Sequence, residues 1–416
     1  MDFNDTPEEA AFRAEARAWL EANAEPKSPG DTTGVDLGER ADEATIQAAK
    51  AWQKKKADAG WACITWPKEY GGRGATSIQS VIWGQEEGRF KTPPAIFGIG
   101  HGMCGPTVMS HGTEEQKARW IPKLLSGEEI WCQLFSEPSA GSDLAGLRST
   151  AVREGDDWVV NGQKIWTTGA QFSDWGILVL RTDANAVKHA GLTYFVVDMH
   201  SPGITVKPIH QINGGTGFNE VFFDDVRIPD ENRLSEVGNG WAVAITTLMN
   251  ERASIGAGGG GRSGFNELFR LAEELEIDGV PAIQDSSVRQ KLADFYIRTQ
   301  GVHHTGNRTL SALSQGKTPG PEASLGKLVG AVLVQEMAAY GIDLEGTAGT
   351  LNDEENTPLE GAWQERYLGI PGLRVAGGTD EVLRNIIAER VLGLPPDARA
   401  DKGVPFNEIP TGPPSR

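Results

Sequence analysis

The sequence predicts an α+β protein of several domains, because the spacing of its apolar residues changes twice along the chain. Apolar residues recur at helical spacing over roughly the first 130 residues and again after Gly240. Between Trp131 and about Asp230 they instead alternate with polar residues or form short apolar runs. A chain of 416 residues also exceeds the usual size of one domain. We therefore predict an N-terminal helical domain (1–130), a middle antiparallel β domain (131–238), a C-terminal domain resembling a four-helix bundle (239–395) and an extended tail (396–416).

Charge and cysteine content restrict the class of protein. A formal net charge of −18 argues against binding to nucleic acid or to anionic membrane surfaces. Three cysteines are few and odd in number, which argues against a disulfide framework. The acidic start lacks the profile of a signal peptide, and no apolar run of membrane-spanning length is evident by inspection. We expect a soluble, cytoplasmic protein without membrane insertion.

Capping signals define the N-terminal helices. Thr6, Pro7 and Glu9 combine an N-cap, a first-turn proline and a capping-box partner. A second capping signal, Thr113-Glu-Glu-Gln116, follows a stop at His111-Gly112. Further helices are predicted over about 44–59 and 77–90, with a loop over 25–43.

The middle region is predicted to contain seven short strands. Asn161-Gly162 is a strong hairpin signal and predicts a turn between two of them. The candidate strands are 149–153, 158–160, 163–168, 175–181, 192–198, 204–208 and 219–228, and further turns are expected at Gly155-Asp156 and Pro202-Gly203.

Apolar stripes at helical spacing mark the C-terminal helices. They comprise Val288, Leu292, Phe295 and Tyr296; Leu325, Leu328, Val329, Val332 and Leu333; and Leu383, Ile386, Ile387 and Val391. The glycine run 258–261 lies within a predicted helix and lacks the preceding strand that a phosphate-binding loop requires.

Two stretches carry candidate chemistry. The small, hydroxylated loop 139–143 lets backbone amides approach an anion closely, although such a loop is also an ordinary turn. Trp166, flanked by Thr167 and Thr168, offers an aromatic face beside hydroxyl groups, although a strand tryptophan is more often part of a core.

His101, Cys104 and His111 fit no standard ligand spacing, so we expect no metal site.

Together these stretches resemble a known pattern. Ser136-Glu-Pro-x-x-Gly-Ser-Asp143, followed by Asn-Gly-x-Lys-x-Trp166-x-Thr168, resembles the flavin-binding middle domain of the acyl-CoA dehydrogenase family. The resemblance implies FAD as cofactor. It implies that Phe135 and Ser136 contact the flavin ring, that Gly141 and Ser142 reach the pyrophosphate, and that Trp166 and Thr168 lie against the flavin.

A second anchor lies near the C-terminus. Gly377, Gly378 and Thr379 open a predicted helix whose amino end favours an anion. By resemblance, Gly378, Thr379 and Glu381 contact the cofactor, and the Gly377 amide donates to the thioester oxygen of the substrate.

The position of the catalytic base departs from the common pattern. Many family members carry a glutamate where this chain has Gly377. Some relatives place the base on another helix, and the matching residue here is Glu251. Arg252 beside it would meet a polar or anionic group at the mouth of the site, although a Glu-Arg pair on a helix is normally a solvated face.

The resemblance implies α,β-dehydrogenation of an acyl-CoA substrate, with electron-transferring flavoprotein as electron acceptor. The sequence leaves open an acyl-CoA oxidase and a non-catalytic or half-site subunit of a heteromeric dehydrogenase. The family's Arg-x-x-Phe-Gly segment, which reaches a neighbouring subunit's flavin, is missing from 275–284. We therefore expect a homodimer, a homotetramer or a heterotetramer with a related subunit.

Overall fold

The protein is helical at both ends, with a mostly antiparallel sheet between the helical parts. The computed structural model describes residues 5–28, 41–256, 260–314, 320–351, 353, 355–399 and 401–409. This arrangement confirms the predicted fold class.

Five α-helices and one short strand pair occur in the described residues of the N-terminal part. Both predicted capping boxes are confirmed, at Thr6 with Glu9 and at Thr113 with Gln116, because each pair exchanges side-chain and backbone hydrogen bonds. The helices are α1 (Pro7–Asn23), α2 (Glu43–Asp58), α3 (Ser77–Glu87), α4 (Gly105–His111) and α5 (Glu114–Ser126), and the strands are β1 (Glu25–Pro26) and β2 (Phe90–Lys91). A π-helical turn, Gly100–Cys104, leads into α4.

The middle part forms one eight-stranded sheet. Its strands are β3 (Trp131–Leu134), β4 (Thr150–Glu154), β5 (Asp157–Thr168), β6 (Trp175–Arg181), β7 (Leu192–Asp198), β8 (Ile204–Pro208), β9 (Phe218–Pro229) and β10 (Arg233–Leu234). Their order is β10-β7-β6-β4-β5-β9-β8, with β3 also paired to β6. The sheet is not wholly antiparallel, because β3 and β4 both run parallel to β6. The parallel pairing depends on contacts distant in sequence, which strand patterns do not reveal.

The predicted hairpin at Asn161-Gly162 is wrong, because β5 passes through both residues without a turn. The predicted turn at Gly155-Asp156 is confirmed, because the chain reverses there between β4 and β5. Gly162, with φ of 149°, lies at a register shift against β9, which is the geometry of a β-bulge. A Cβ atom at Gly162 would lie 2.2 Å from Ser149 Oγ, so glycine is required here by a close approach of strands.

Six α-helices occur in the described residues of the C-terminal part, and four of them, α7 to α10, share one apolar core. The helices are α6 (Gly240–Gly256), α7 (Gly260–Glu274), α8 (Ser286–Ser314), α9 (Ser324–Glu345), α10 (Ala362–Gly369) and α11 (Asp380–Arg390), with a strand pair β11 (Glu276–Ile277) and β12 (Val280–Pro281). The core includes Leu268, Leu271, Phe295, Leu333, Met337 and Trp363. Tyr296, Leu325, Val329 and Val391 from the predicted stripes are instead exposed. Part of the glycine run 258–261 lies outside the described residues.

One helical stretch, Pro321–Thr350, is apolar and long enough to cross a membrane by length and composition alone. Its main part is α9, which packs against α7, α8 and α10 and buries Leu333 and Met337. A core helix meets the same criteria of length and composition, and α9 contributes Leu333 and Met337 to the C-terminal core.

The tail returns to the middle sheet. The Phe406 amide donates to the Ala186 carbonyl at 3.0 Å, and Pro405 forms a β-bridge with Val187. The composition of the tail, rich in proline and glycine, gave no indication of this docking.

Candidate functional site

The two halves of the central motif are joined by hydrogen bonds. The loop that follows β3 runs along β5, where the Ile165 amide donates to the Ser136 carbonyl at 2.9 Å. Lys164 Nζ donates to the Phe135 carbonyl at 3.1 Å. These contacts bring Phe135 and Ser136 beside the strand that carries Trp166 and Thr168.

Glu137 anchors the start of the cofactor loop, defined as residues 139–146, through hydrogen bonds of its carboxylate. Its carboxylate accepts from the amides of Arg148 at 2.6 Å and Ser149 at 3.0 Å, and from Lys164 Nζ at 2.8 Å. Burial alone would raise the pKa of Glu137, but Lys164 and the two amides outweigh it and lower that pKa. The loop is thus anchored at a buried ion pair while Gly141 and Ser142 remain exposed. No role was predicted from the sequence for Glu137 or Lys164, although Glu137 belongs to the first motif and Lys164 to the second.

Trp166 has an unusual backbone conformation that directs its side chain outward. Its φ is +60°, it lies at a register shift between β5 and β9, and its side chain is 56% exposed. A positive φ is uncommon for a residue other than glycine and disrupts the regular alternation of the strand. Phe218 meets the indole edge-on, with ring centroids 5.9 Å apart, and steadies it.

These residues fit a flavin cofactor. Trp166 offers an exposed aromatic face and Thr168 a half-buried hydrogen-bonding group. Gly141 and Ser142 are exposed, and small residues of this kind let amides and a hydroxyl approach an anion. The contacts between the motif halves place them along one strand and its adjoining loop.

The second anchor has the predicted helix start. Thr379 Oγ accepts from the Val382 amide at 3.3 Å, so α11 begins with a side-chain cap. Gly377 and Gly378 have φ of +65° and +100°, a region that favours glycine. Lys327 Nζ of α9 donates to the Gly378 carbonyl at 2.6 Å and fixes this turn. Glu381 lies exposed in the first turn of α11, where its own amide and the Thr379 side chain lower its pKa.

Glu251 is half-buried on α6 and faces the sheet. Gln133 Nε2 of β3 donates to Glu251 Oε2 at 3.4 Å. Because Gln133 stands two residues before Phe135, the Glu251 carboxylate lies beside the strand that leads into the cofactor loop. The side chain of Arg252 is outside the described residues, so its predicted role stays a prediction.

Further polar residues near the cofactor loop had no signal in the sequence. Lys188 Nζ bonds Asp143 Oδ2 at 2.6 Å, and the Arg181 guanidinium donates to the Ala145 and Leu147 carbonyls. A cavity of about 410 Å³ adjoins the loop. It is lined by Ser139, Asp143, Gly146, Arg148, Lys188, Phe406 and Ile409. Within the described part of the chain, no cluster of three or more metal-ligating side chains occurs.

Comparison with known families matches three successive parts of the chain. The acyl-CoA dehydrogenase N-terminal domain matches residues 6–128, the middle domain residues 132–226 and the C-terminal domain residues 238–392. Acyl-CoA dehydrogenase IpdE1 of Mycolicibacterium smegmatis is 36% identical over 93% of this chain and 98% of its own length. Acyl-CoA dehydrogenase FadE34 of Mycobacterium tuberculosis is 38% identical over 87% of this chain and 50% of its own length.

Solved structures show the same fold. A structure described as the Tcur3481-Tcur3483 steroid ACAD has a TM-score of 0.82 and 28% identity, covering 95% of this chain and 100% of its own. The ChsE4-ChsE5 complex from Mycobacterium tuberculosis has a TM-score of 0.79 and 29% identity, covering 95% of this chain and 100% of its own. The family and relatives agree with the three-part fold and the motifs that surround Trp166. The chain therefore belongs to the acyl-CoA dehydrogenases, a family of FAD-dependent oxidoreductases of lipid metabolism.

Proposed function

We propose that this chain oxidises an acyl-CoA thioester to the trans-2-enoyl-CoA, with Glu251 as the base. The observation that carries the proposal is the position of Glu251, whose carboxylate meets Gln133 on the strand leading into the cofactor loop. The common location of the base is Gly377, which has no side chain and adopts a φ of +65°. A carboxylate beside the α-carbon is what proton abstraction requires.

The roles of the chain's own residues follow from this assignment. Glu251 takes the α-proton, and the Gly377 amide donates to the thioester oxygen as charge develops on it. When bound, FAD supplies the acceptor for the hydride that leaves the β-carbon. Trp166 and Thr168 hold the flavin face, and Phe135 and Ser136 contact its ring. Gly141 and Ser142 contact the pyrophosphate.

The second anchor completes the assignment. Gly378, Thr379 and Glu381 would contact the cofactor from the start of α11, where capped amides face an anion. Arg252 would meet a polar group at the mouth of the substrate site.

For the electron acceptor we propose electron-transferring flavoprotein, and for the location the cytoplasm. The family resemblance supports the acceptor. The three free cysteines, Cys63, Cys104 and Cys132, suit a reducing compartment.

For the assembly we propose a dimer or tetramer, with an unlike related subunit as one form. Two similar structures are described as pairs, Tcur3481-Tcur3483 and ChsE4-ChsE5. Exposed apolar side chains on the C-terminal helices, including Tyr296, Ile297 and Tyr367, provide a surface for such contacts.

Flavin bleaching across a panel of acyl-CoAs tests the proposal. Short, branched, long-chain and steroid-bearing thioesters are added anaerobically to purified protein, and the steroid compound is included because a similar structure is described as a steroid ACAD. We expect one class to bleach the flavin, and reoxidation by electron-transferring flavoprotein to exceed reoxidation by oxygen. Stoichiometric peroxide in air would instead indicate an oxidase. A protein that holds flavin only with a co-expressed relative would indicate a half-site subunit.

A further inference from the structure

We propose that the C-terminal strap, residues 401–409, is a positioning element that holds the cofactor loop in its anion-binding form. The inference rests on the proposed role of Ser142 at the FAD pyrophosphate. It concerns a segment that lies more than 250 residues further along the chain.

The first contact is a lysine shared by the loop and the strap. Lys188 Nζ lies 2.6 Å from Asp143 Oδ2 and 2.9 Å from Asp401 Oδ2. The Lys188 side chain is largely buried, whereas Asp143 is mostly exposed. Burial alone would lower the pKa of Lys188, but the two carboxylates raise it, so the cation stays charged between them. Asp143 directly follows Ser142, so the strap acts on the loop through one shared cation.

The second contact is between the Phe406 ring of the strap and the guanidinium of Arg181. Arg181 is buried and donates to the carbonyls of Ala145 at 2.7 Å, Leu147 at 3.2 Å and Lys188 at 3.1 Å. The Phe406 ring of the strap lies over this guanidinium, 3.3 Å from ring centroid to carbon. Removing the ring would admit water to a group that fixes the end of the cofactor loop.

The strap itself is held in register. The amides of Phe406 and Asn407 donate to the carbonyls of Ala186 and Ala184, each at 3.0 Å. Asn407 Nδ2 also donates to Asn185 Oδ1 at 2.9 Å. The strap is therefore hydrogen-bonded along the β6–β7 connection, and Asp401 and Phe406 meet Lys188 and Arg181 from fixed positions.

Ordering the loop before the ligand arrives raises affinity, because less conformational freedom is lost on binding. Loss of the strap is expected to weaken FAD binding by roughly tenfold, which corresponds to about 1.4 kcal/mol. Reduction of bound flavin by substrate is expected to change little.

The test measures the FAD dissociation constant of the purified holoprotein from the rise in flavin fluorescence on dilution. The test variants are Asp401→Ala and Phe406→Ala. Phe406→Tyr retains the ring, and Asp397→Ala removes an exposed carboxylate from the same tail. We expect weaker FAD binding in the first two variants and wild-type binding in Phe406→Tyr and Asp397→Ala. Melting temperatures of the FAD-free forms should stay within a few degrees of each other.

Unchanged FAD binding in both Asp401→Ala and Phe406→Ala would overturn the proposal, as would equal weakening by Asp397→Ala. Ser142→Ala separates the claim about the strap from the proposed role of Ser142 at the FAD pyrophosphate. If Ser142→Ala weakens FAD binding and the strap variants do not, only the role of the strap fails. If the strap variants weaken binding and Ser142→Ala does not, the strap does not act through the loop and both claims fail.

Discussion

Lys164 Nζ lies 2.8 Å from Glu137 Oε1, and both side chains are almost completely buried. Each residue belongs to a different half of the central motif, so this ion pair ties the loop after β3 to β5. Its value is positional, since a buried ion pair stabilises little relative to a well-packed apolar pair.

Lys164→Met should destabilise the protein by about 3–5 kcal/mol, because it leaves the Glu137 carboxylate buried without its cation. The double variant Lys164→Met, Glu137→Gln should recover part of that loss, since the neutral amide still accepts from a backbone amide. Urea denaturation followed by tryptophan fluorescence measures both. A single variant within 1 kcal/mol of the wild type would show that the pair is not the anchor described.

Gly162→Ala should cost about 3 kcal/mol, because the new methyl group meets Ser149 and the backbone φ of 149° disfavours any side chain. Gly155→Ala is the matched control, since Gly155 also has positive φ but has open space around it. The control should cost only about 1–2 kcal/mol. Equal costs in urea denaturation would count against the close approach at Gly162.

The sequence correctly predicted the turn at Gly155-Asp156 but wrongly predicted one at Asn161-Gly162, and the difference shows which parts of the fold a sequence can reveal. Capping boxes at Thr6 and Thr113 depend on residues within one turn, so local patterns sufficed. The Asn161-Gly162 pair is compatible with either a turn or a bulge, and only the pairing of β5 with β9 decides between them. For the site, the motifs indicated Ser136, Ser142 and Trp166. The Lys188–Asp401 contact spans 213 residues, and no local pattern encodes it.

His101 should make the protein less stable in acid. Burial lowers its pKa from 6.5 to about 4, and Nε2 lies 2.8 Å from the Leu124 carbonyl, to which the neutral ring donates. Between these values the unfolded chain binds a proton that the folded chain does not, so stability falls as pH falls from about 6.5 to about 4. The full contribution is on the order of 3 kcal/mol.

His101→Gln, which keeps a donor without the titration, isolates this effect. The difference in unfolding free energy between wild type and His101→Gln should change in favour of the variant as pH falls through that range. A difference that is constant with pH would contradict the neutral state of His101 in the folded protein.

Trp166→Ala and Ser142→Ala should each weaken FAD retention by roughly tenfold while the melting temperature of the FAD-free protein stays nearly constant. Both side chains are exposed, so the fold loses little when they are shortened. Val152→Ala, at an exposed position on β4, is the control. Flavin absorbance of the desalted protein gives the readout. Full flavin occupancy in the Ser142→Ala, Trp166→Ala double variant would exclude the assigned contacts.

The rate of anaerobic flavin reduction in Glu251→Gln tests the central claim most directly. The substitution preserves shape and the contact with Gln133 but removes the base. Reduction by the active acyl-CoA should slow by roughly 10²–10⁴-fold with FAD and substrate binding nearly unchanged. Glu251→Asp should retain part of the rate, and the exposed control Glu273→Gln all of it. Reduction at the wild-type rate in Glu251→Gln would contradict the account and direct the search to a carboxylate from another subunit.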